Sequence, residues 1–362
     1  MGGPYLRYHR RMLRTLVPLL LALAFALPSG LQQAQTQVNG IPAKRPIFGA
    51  SCTTCPWGAM GEAVREALRP SGYEVQVCYS CGGPARSVRL VADAASAPPP
   101  QKPAPGALPA PEGRVDFGAT GAELLRYAYL GIHDFANDKE GPRRHLRLIA
   151  KIQMPTYYAV AIHSKSGITD LRQVAEKKLA VKLVARGGVG EGINAEVLDY
   201  YGLSEEKIKS FGGTASGTYT RGSDVDVVIG WAALLNAPEY SVWYDAPQQH
   251  DLIYLEMPAD LRAKLITKFR VEEHQAPEGL LRGVVRPFVT VVRNGTVVYG
   301  RADMPDAFAY SVARALDEHK GVFQWSIMPF SYDSKTVWQL GEVPLHPGAE
   351  KYYRERKYLT SR

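Results

Sequence analysis

The sequence predicts an α/β protein built on a largely parallel sheet, and three observations predict it. Short apolar runs alternate with helical patterns through the first part of the chain. Two of those runs end in small-residue turns, SCTTCPWG (51–58) and CYSCGGP (78–84). The same strand–turn–helix order returns at LVARGGVGEGINAEVLDYYG (183–202), where an apolar run feeds a glycine-dense turn. Alternating strands and helices favour parallel strands with helices on the sheet faces. Ligands of such sheets bind beyond the carboxyl ends of the strands, so these turns are also the first places to look for a site.

Each element can be justified in order. Residues 46–50 form a short apolar strand. Met60, Ala63, Val64, Ala67 and Leu68 then recur at helical spacing, and the helix is closed by Pro70 and Gly72. A strand at 73–77 leads through the second turn into a helix with Val88, Leu90 and Val91. Residues 94–113 are rich in Pro and Ala and read as an extended, loosely packed insertion. Residues 115–120 are a third strand, and 123–129 are helical. Strands are expected at 146–152 and 157–162, with Pro155 breaking the run between them. A turn and short helix (166–174) precede the strand at 179–184 that opens the glycine corner. Residues 224–231 are another buried strand. The stretch 284–298 is strand-like, with Asn294-Gly295 as a hairpin signal. An amphipathic helix (306–319) and a proline-punctuated turn and charged helix (344–356) complete the chain.

The chain has 362 residues, 46% of them hydrophobic and 22% charged, enough for a large core and more than one lobe. Four arginines (7, 10, 11 and 14), the apolar run LVPLLLALAF (16–25) and Ala24-Phe25-Ala26 read as a secretory signal peptide over 1–26. It is too short for a membrane span. Arg10-Arg11 fits a twin-arginine leader poorly. Its removal takes away those four arginines and no acid, so the formal charge falls from +8 to +4. With no clustered basic face, nucleic acid is not an expected partner. Periplasmic localisation follows. The expected organisation is a tether (27–45), a first lobe (46–155), a second lobe (156–285) and a return to the first (286–362).

Candidate ligand-binding residues come from the turns. Gly188, Val189, Gly190, Glu191 and Asn194 form the glycine corner with Arg186; glycines admit close approach, and the following helix offers free N–H groups. Gly82 and Gly83 do the same at the second turn. Thr53, Thr54, Ser80 and Thr120 are hydroxyls at strand ends, with local turn capping as the alternative. Trp57, Tyr157 and Trp231 adjoin the expected cleft and can wall in a ligand, or lie in the core. The corner is not a phosphate-binding Walker loop, because Ile193-Asn194 stands where Lys-Ser/Thr is needed. No nucleophile elbow or His-Glu-x-x-His motif is present, His133 and His163 lack a second ligand at metal spacing, and His346 reads as structural. No enzyme activity and no cofactor are expected.

Four segments resemble a known family: IHSKSGITDL (162–171), GVGEGINA (188–195) with Leu198 and YGLS (201–204), RADMP (301–305), and PLHPGAEKYYR (344–354). They are similar to substrate-binding proteins of tripartite ATP-independent periplasmic (TRAP) transporters, in the TAXI branch, over about 47–356. The resemblance implies a type II periplasmic-binding fold with two βα lobes around a central cleft. It implies a monomer that captures a small, carboxylate-bearing organic acid or amino-acid-like solute and delivers it to membrane permease subunits. A receptor for an ATP-driven importer of a heterocycle or amine is the runner-up.

The chain departs from that pattern at two places. Val189 and Glu191 replace hydroxyl residues of the family's corner, which weakens a simple anion reading; Glu191 either stabilises its helix start or pairs with Arg186 or a ligand ammonium. The first turn carries Cys52 and Cys55, and the second Cys78 and Cys81, so four sulfurs can meet at neighbouring strand ends. Disulfides across the turns lead, a four-cysteine metal site follows, and a redox or ligand-contacting thiol pair is third. The latter two would make an exported metal or redox protein on the same fold. Haem attachment is disfavoured because Pro56 and Gly82 stand where His is needed.

Overall fold

The computed structural model describes residues 45–50, 56–99, 110–190, 192–233, 240–321 and 332–359. The expected signal peptide, nearly all of the tether, residues 100–109 of the insertion, and Cys52, Thr53, Thr54, Cys55 and Glu191 lie outside them. Among the described residues no helix is long and apolar enough to cross a membrane.

The strands are β1 (Ile47–Gly49), β2 (Gln76–Cys78), β3 (Val115–Gly121), β4 (Leu146–His163), β5 (Lys182–Ala185), β6 (Thr214–Ser216), β7 (Val227–Ala232), β8 (Leu252–Tyr254), β9 (Glu272–Ala276) and β10 (Phe288–Arg301). They form one ten-stranded sheet in the order β2-β1-β3-β10-β4-β7-β5-β6, with β8 on β4 and β9 on β10. The two flanks are parallel, β2-β1-β3 on one side and β7-β5-β6 on the other. Two long antiparallel strands, β4 of 18 residues and β10 of 14, run through both halves and join them. The α/β class expected from the alternating pattern is therefore what the chain forms.

The helices are α1 (Pro56–Leu68), α2 (Pro84–Ala92), α3 (Ala122–Leu130), α4 (Arg172–Glu176), α5 (Gly192–Tyr200), α6 (Glu205–Ser210), α7 (Val242–Asp245), α8 (Ala259–Phe269), α9 (Asp306–Glu318) and α10 (Pro347–Glu355). In the first half, α1, α9 and α10 bury Met60, Val64, Phe308, Val312 and Tyr353 with Phe48 and Phe117 of the sheet. α2 and α3 bury Val88, Val91 and Leu125 with Val115 and Val297. In the second half, Val197, Leu198, Leu261 and Leu265 of α5 and α8 pack with Tyr158, Val160 and Ile229. Alternate residues of a strand point to opposite faces. Phe117 and Val115 accordingly belong to different clusters.

Two sequence expectations fail at the same place. Pro155 does not break the run into two strands: β4 is continuous, and Pro155 pairs in register with Asn294. Asn294-Gly295 is not a hairpin either, but lies inside β10. The register shifts between Asn294 and Thr296, and Gly295 takes φ +115°. A proline has no N–H for the ladder, and a bulge in the partner removes the demand for one.

The segments 301–305 and 344–354 prove to be braces. Arg301, 4% exposed, donates to the carbonyls of Val91 (2.8 Å) and Val115 (3.3 Å). His346 is fully buried and its Nδ1 accepts the Gly348 N–H at 3.2 Å, capping α10; burial holds its pKa below the ordinary histidine value, in keeping with the acceptor role. A Cβ on Gly348 would sit 2.0 Å from the Asp306 carbonyl oxygen, so only glycine fits.

Candidate functional site

The register of the sheet locates a crevice. β3 ends with Thr120 and Gly121 opposite Val297 and Thr296. β7 arrives from the other half and ends with Trp231 and Ala232 opposite Tyr158 and Tyr157. On β10 and β4 those two levels are separated by Arg293–Gly295 and by Gln153–Thr156, in the stretch that holds the Pro155–Asn294 irregularity. The carboxyl ends of parallel strands from both halves thus converge on the middle of the two long strands.

A depression open to solvent lies there. Its floor is Val292 and Arg293 of β10. One wall is the first turn of α3, with Glu123 and Arg126, and the other is Arg270 to Glu272 at the start of β9. Glu123 Oε1 accepts from Arg293 Nη1 at 3.2 Å. The Arg293 guanidinium lies 4.2 Å from the centre of the Trp231 ring, within cation–π range. The wall between α3 and α8 is held by side chains that satisfy the end of α8. Tyr127 donates to the Phe269 carbonyl, Arg126 donates to that of Arg270 at 3.4 Å, and His133 Nε2 meets that of Lys268 at 2.7 Å. The last carbonyls of a helix lack partners within it. Here three are met from outside. Burial pushes the Tyr127 phenol upward, so it stays a donor.

Of the expected residues, Trp231 and Tyr157 adjoin this crevice. Trp231 carries Arg293, Tyr157 pairs with Val292, and its hydroxyl lies 3.4 Å from His274 Nδ1. Thr120 is fully buried and its Oγ1 has no hydrogen-bond partner among the described residues; Trp57, 8% exposed at the start of α1, has an Nε1 in the same state.

The glycine corner is built differently. Asn194 Nδ2 donates to the carbonyls of Arg186 (3.0 Å) and Gly188 (2.7 Å), and its Oδ1 accepts from the buried Tyr158 hydroxyl at 2.7 Å. Val189 is packed in the core, and Arg186 Nη1 donates to Gly217 O at 3.4 Å. Gly188 takes φ +115°, and Gly190 is exposed beside it. The corner reaches the crevice indirectly, through the edge-to-face contact of Tyr158 with Trp231 at 5.3 Å.

The second turn lies farther along the sheet, after β2. Gly82 and Gly83 take φ +75° and +86° there, and the Ser80 hydroxyl donates to Pro98 O at 2.5 Å. Cys78 and Cys81 form a disulfide with each other, both fully buried. This corrects the expectation of bonds across the two turns. It also removes two of the four sulfurs from any four-cysteine metal site, because a disulfide sulfur has no thiolate to offer a metal. The i,i+3 spacing at one turn, with Cα atoms 5.7 Å apart, suits a local bond. Among the described residues no group of His, Cys, Asp or Glu is placed to hold a metal ion.

Sequence reasoning missed the charged residues. Arg293 is the sole charged residue between Arg286 and Arg301, in an otherwise apolar strand run, and Glu123 follows a strand-end Gly-Ala. A charge in a strand buried on both faces requires a partner, and that signal was present in the sequence.

The chain matches the NMT1-like family over residues 110–356. No curated protein matches it. Among solved structures it is similar to a TctC solute-binding protein from Polaromonas, with 10% identity, a TM-score of 0.41, and coverage of 81% of this chain and 91% of that one. It is also similar to the binding-protein component of an ABC phosphonate transporter from Pseudomonas aeruginosa (12% identity, TM-score 0.37, 80% and 82% covered). A third likeness is to iron-bound HitA from the same organism (11% identity, TM-score 0.37, 88% and 99% covered).

Proposed function

Because the chain belongs to the NMT1-like family, we propose that it is an extracytoplasmic solute-binding receptor that hands a small solute to a membrane transporter and performs no chemistry of its own. The observation that carries this reading is the meeting of strand carboxyl ends from both halves at the middle of β4 and β10. In that arrangement the halves are lobes, and the Pro155–Asn294 irregularity is where the connecting strands bend. Lobe closure then excludes water from a solute held at the crevice.

The sequence likeness to TAXI receptors supports delivery to an ion-driven TRAP permease, and the Arg126–Arg270–Arg293 lining supports a carboxylate-bearing solute. The leader-like residues 1–26 support export to the periplasm. Native mass spectrometry of protein purified without denaturation tests the reading: a co-purified solute is expected as added mass. Protein without added mass, and with an unchanged melting temperature in a panel of organic acids and amino acids, would sink it. Uptake that follows an imposed ion gradient is expected; uptake that requires ATP transfers the protein to the runner-up transporter class.

A further inference from the structure

Five charged side chains border the crevice: Arg126, Arg270 and Arg293 against Glu123 and Glu272. Glu123 is the unusual one. It stands in the first turn of α3, and its carboxylate folds back over the helix start. A Cβ on Gly121 would lie 2.7 Å and 2.8 Å from its two oxygens. The side chain is only 12% exposed. Oε1 is taken by Arg293, while Oε2 is buried and has no hydrogen-bond partner among the described residues. A buried carboxylate oxygen left without a donor costs about 1–3 kcal/mol. Helix starts favour anions, so the place itself is a good one for a negative group. Glu123 fills it imperfectly.

We propose that Glu123 is a tethered stand-in for the anionic group of the solute, and that a ligand carboxylate displaces it from Arg293 when the receptor loads. The inference rests on the receptor reading above and adds a specificity device to it. Arg293 is held by its stacking on Trp231, so it stays in place when the counter-ion changes. Gly121, with no side chain, leaves the path by which Glu123 swings out. An unloaded receptor then buries no bare guanidinium. Weak anions are rejected, because every ligand has to outcompete an internal carboxylate.

The test uses the full protein with succinate and L-glutamate as anionic probes and putrescine as a cationic one, followed by calorimetry and thermal shift. Glu123→Gln and Glu123→Ala are each expected to bind an anionic probe about fivefold or more tighter than the parent protein, the scale of a partly buried ion pair removed as competitor. Arg293→Gln is expected to abolish that binding. Putrescine is expected to bind none of them. The alanine variant separates loss of competition from new hydrogen bonds made by glutamine, and a melting curve for each confirms folding. Unchanged or weaker anion binding by both Glu123 variants overturns the proposal, as does putrescine binding that depends on Glu123. Co-purified solute on the parent protein with no gain in the variants fails this proposal and leaves the receptor role standing. A gain in the variants supports the exchange at Arg293 whether or not the parent protein carries a native solute.

Discussion

Two strand-to-helix corners, one lining the crevice and the other reaching it only through Tyr158 and Trp231, are made on opposite plans. At the β5–α5 corner the turn is closed on itself. Asn194 meets two turn carbonyls and the Tyr158 hydroxyl, and Val189 is sunk in the core. At the β3–α3 corner the hydroxyl of Thr120 and one oxygen of Glu123 are buried without partners among the described residues, and the other oxygen is held by a strand some 170 residues away in sequence. The first corner has the glycines and the second has the charges. Glycine density reports the conformation a turn needs. Unmatched polar atoms in a buried place report what that place has yet to bind.

Substitutions at each corner can break the contrast. The largest effect is expected for Asn194→Ala, which leaves the fully buried Tyr158 hydroxyl and two carbonyls unmet and should cost about 3 kcal/mol in a urea titration. Gly121→Ala at the other corner should cost no more than about 1 kcal/mol. The atoms in its way are the flexible end of Glu123, and its φ of −64° suits alanine. It should nonetheless shift Trp231 fluorescence by loosening the Glu123–Arg293 pair. A loss as large as that of Asn194→Ala would mean that the two corners are equally closed. The smallest effect, opposite in sign, is expected for Thr120→Val: removing a hydroxyl without a partner should raise stability by up to about 1 kcal/mol. A clear loss there would reveal a donor or acceptor that Thr120 meets in solution.

Much of the architecture was legible because it follows from local pattern. The alternating runs gave the parallel flanks, and residues such as Met60, Val64 and Val88 lie where helical spacing puts them. The continuity of β4 through Pro155 was not legible. A proline is tolerated only because Asn294 and Gly295, some 140 residues later, bulge opposite it, and no local window contains both. The site divides in the same way. Trp231, Tyr157 and Thr120 were reachable as strand-end residues. Glu123 and Arg293 become a pair only through the β3–β10 register, so their charges had no evident partner in the sequence. The cysteines illustrate the converse error. Two similar turns suggested a shared cluster, whereas the bond that forms at Cys78 and Cys81 joins the nearest neighbours in the chain.

That bond has a consequence for how the molecule comes to be assembled. Both cysteines are fully buried in the folded protein, packed in the cluster that α2 and β1 share, although Gly82 of the same turn is exposed. An oxidant needs direct access to a thiolate. The bond is therefore made while the chain is still open, and folding afterwards seals it from reductants as well. Oxidation at this turn is a step in manufacture, completed once and then locked away.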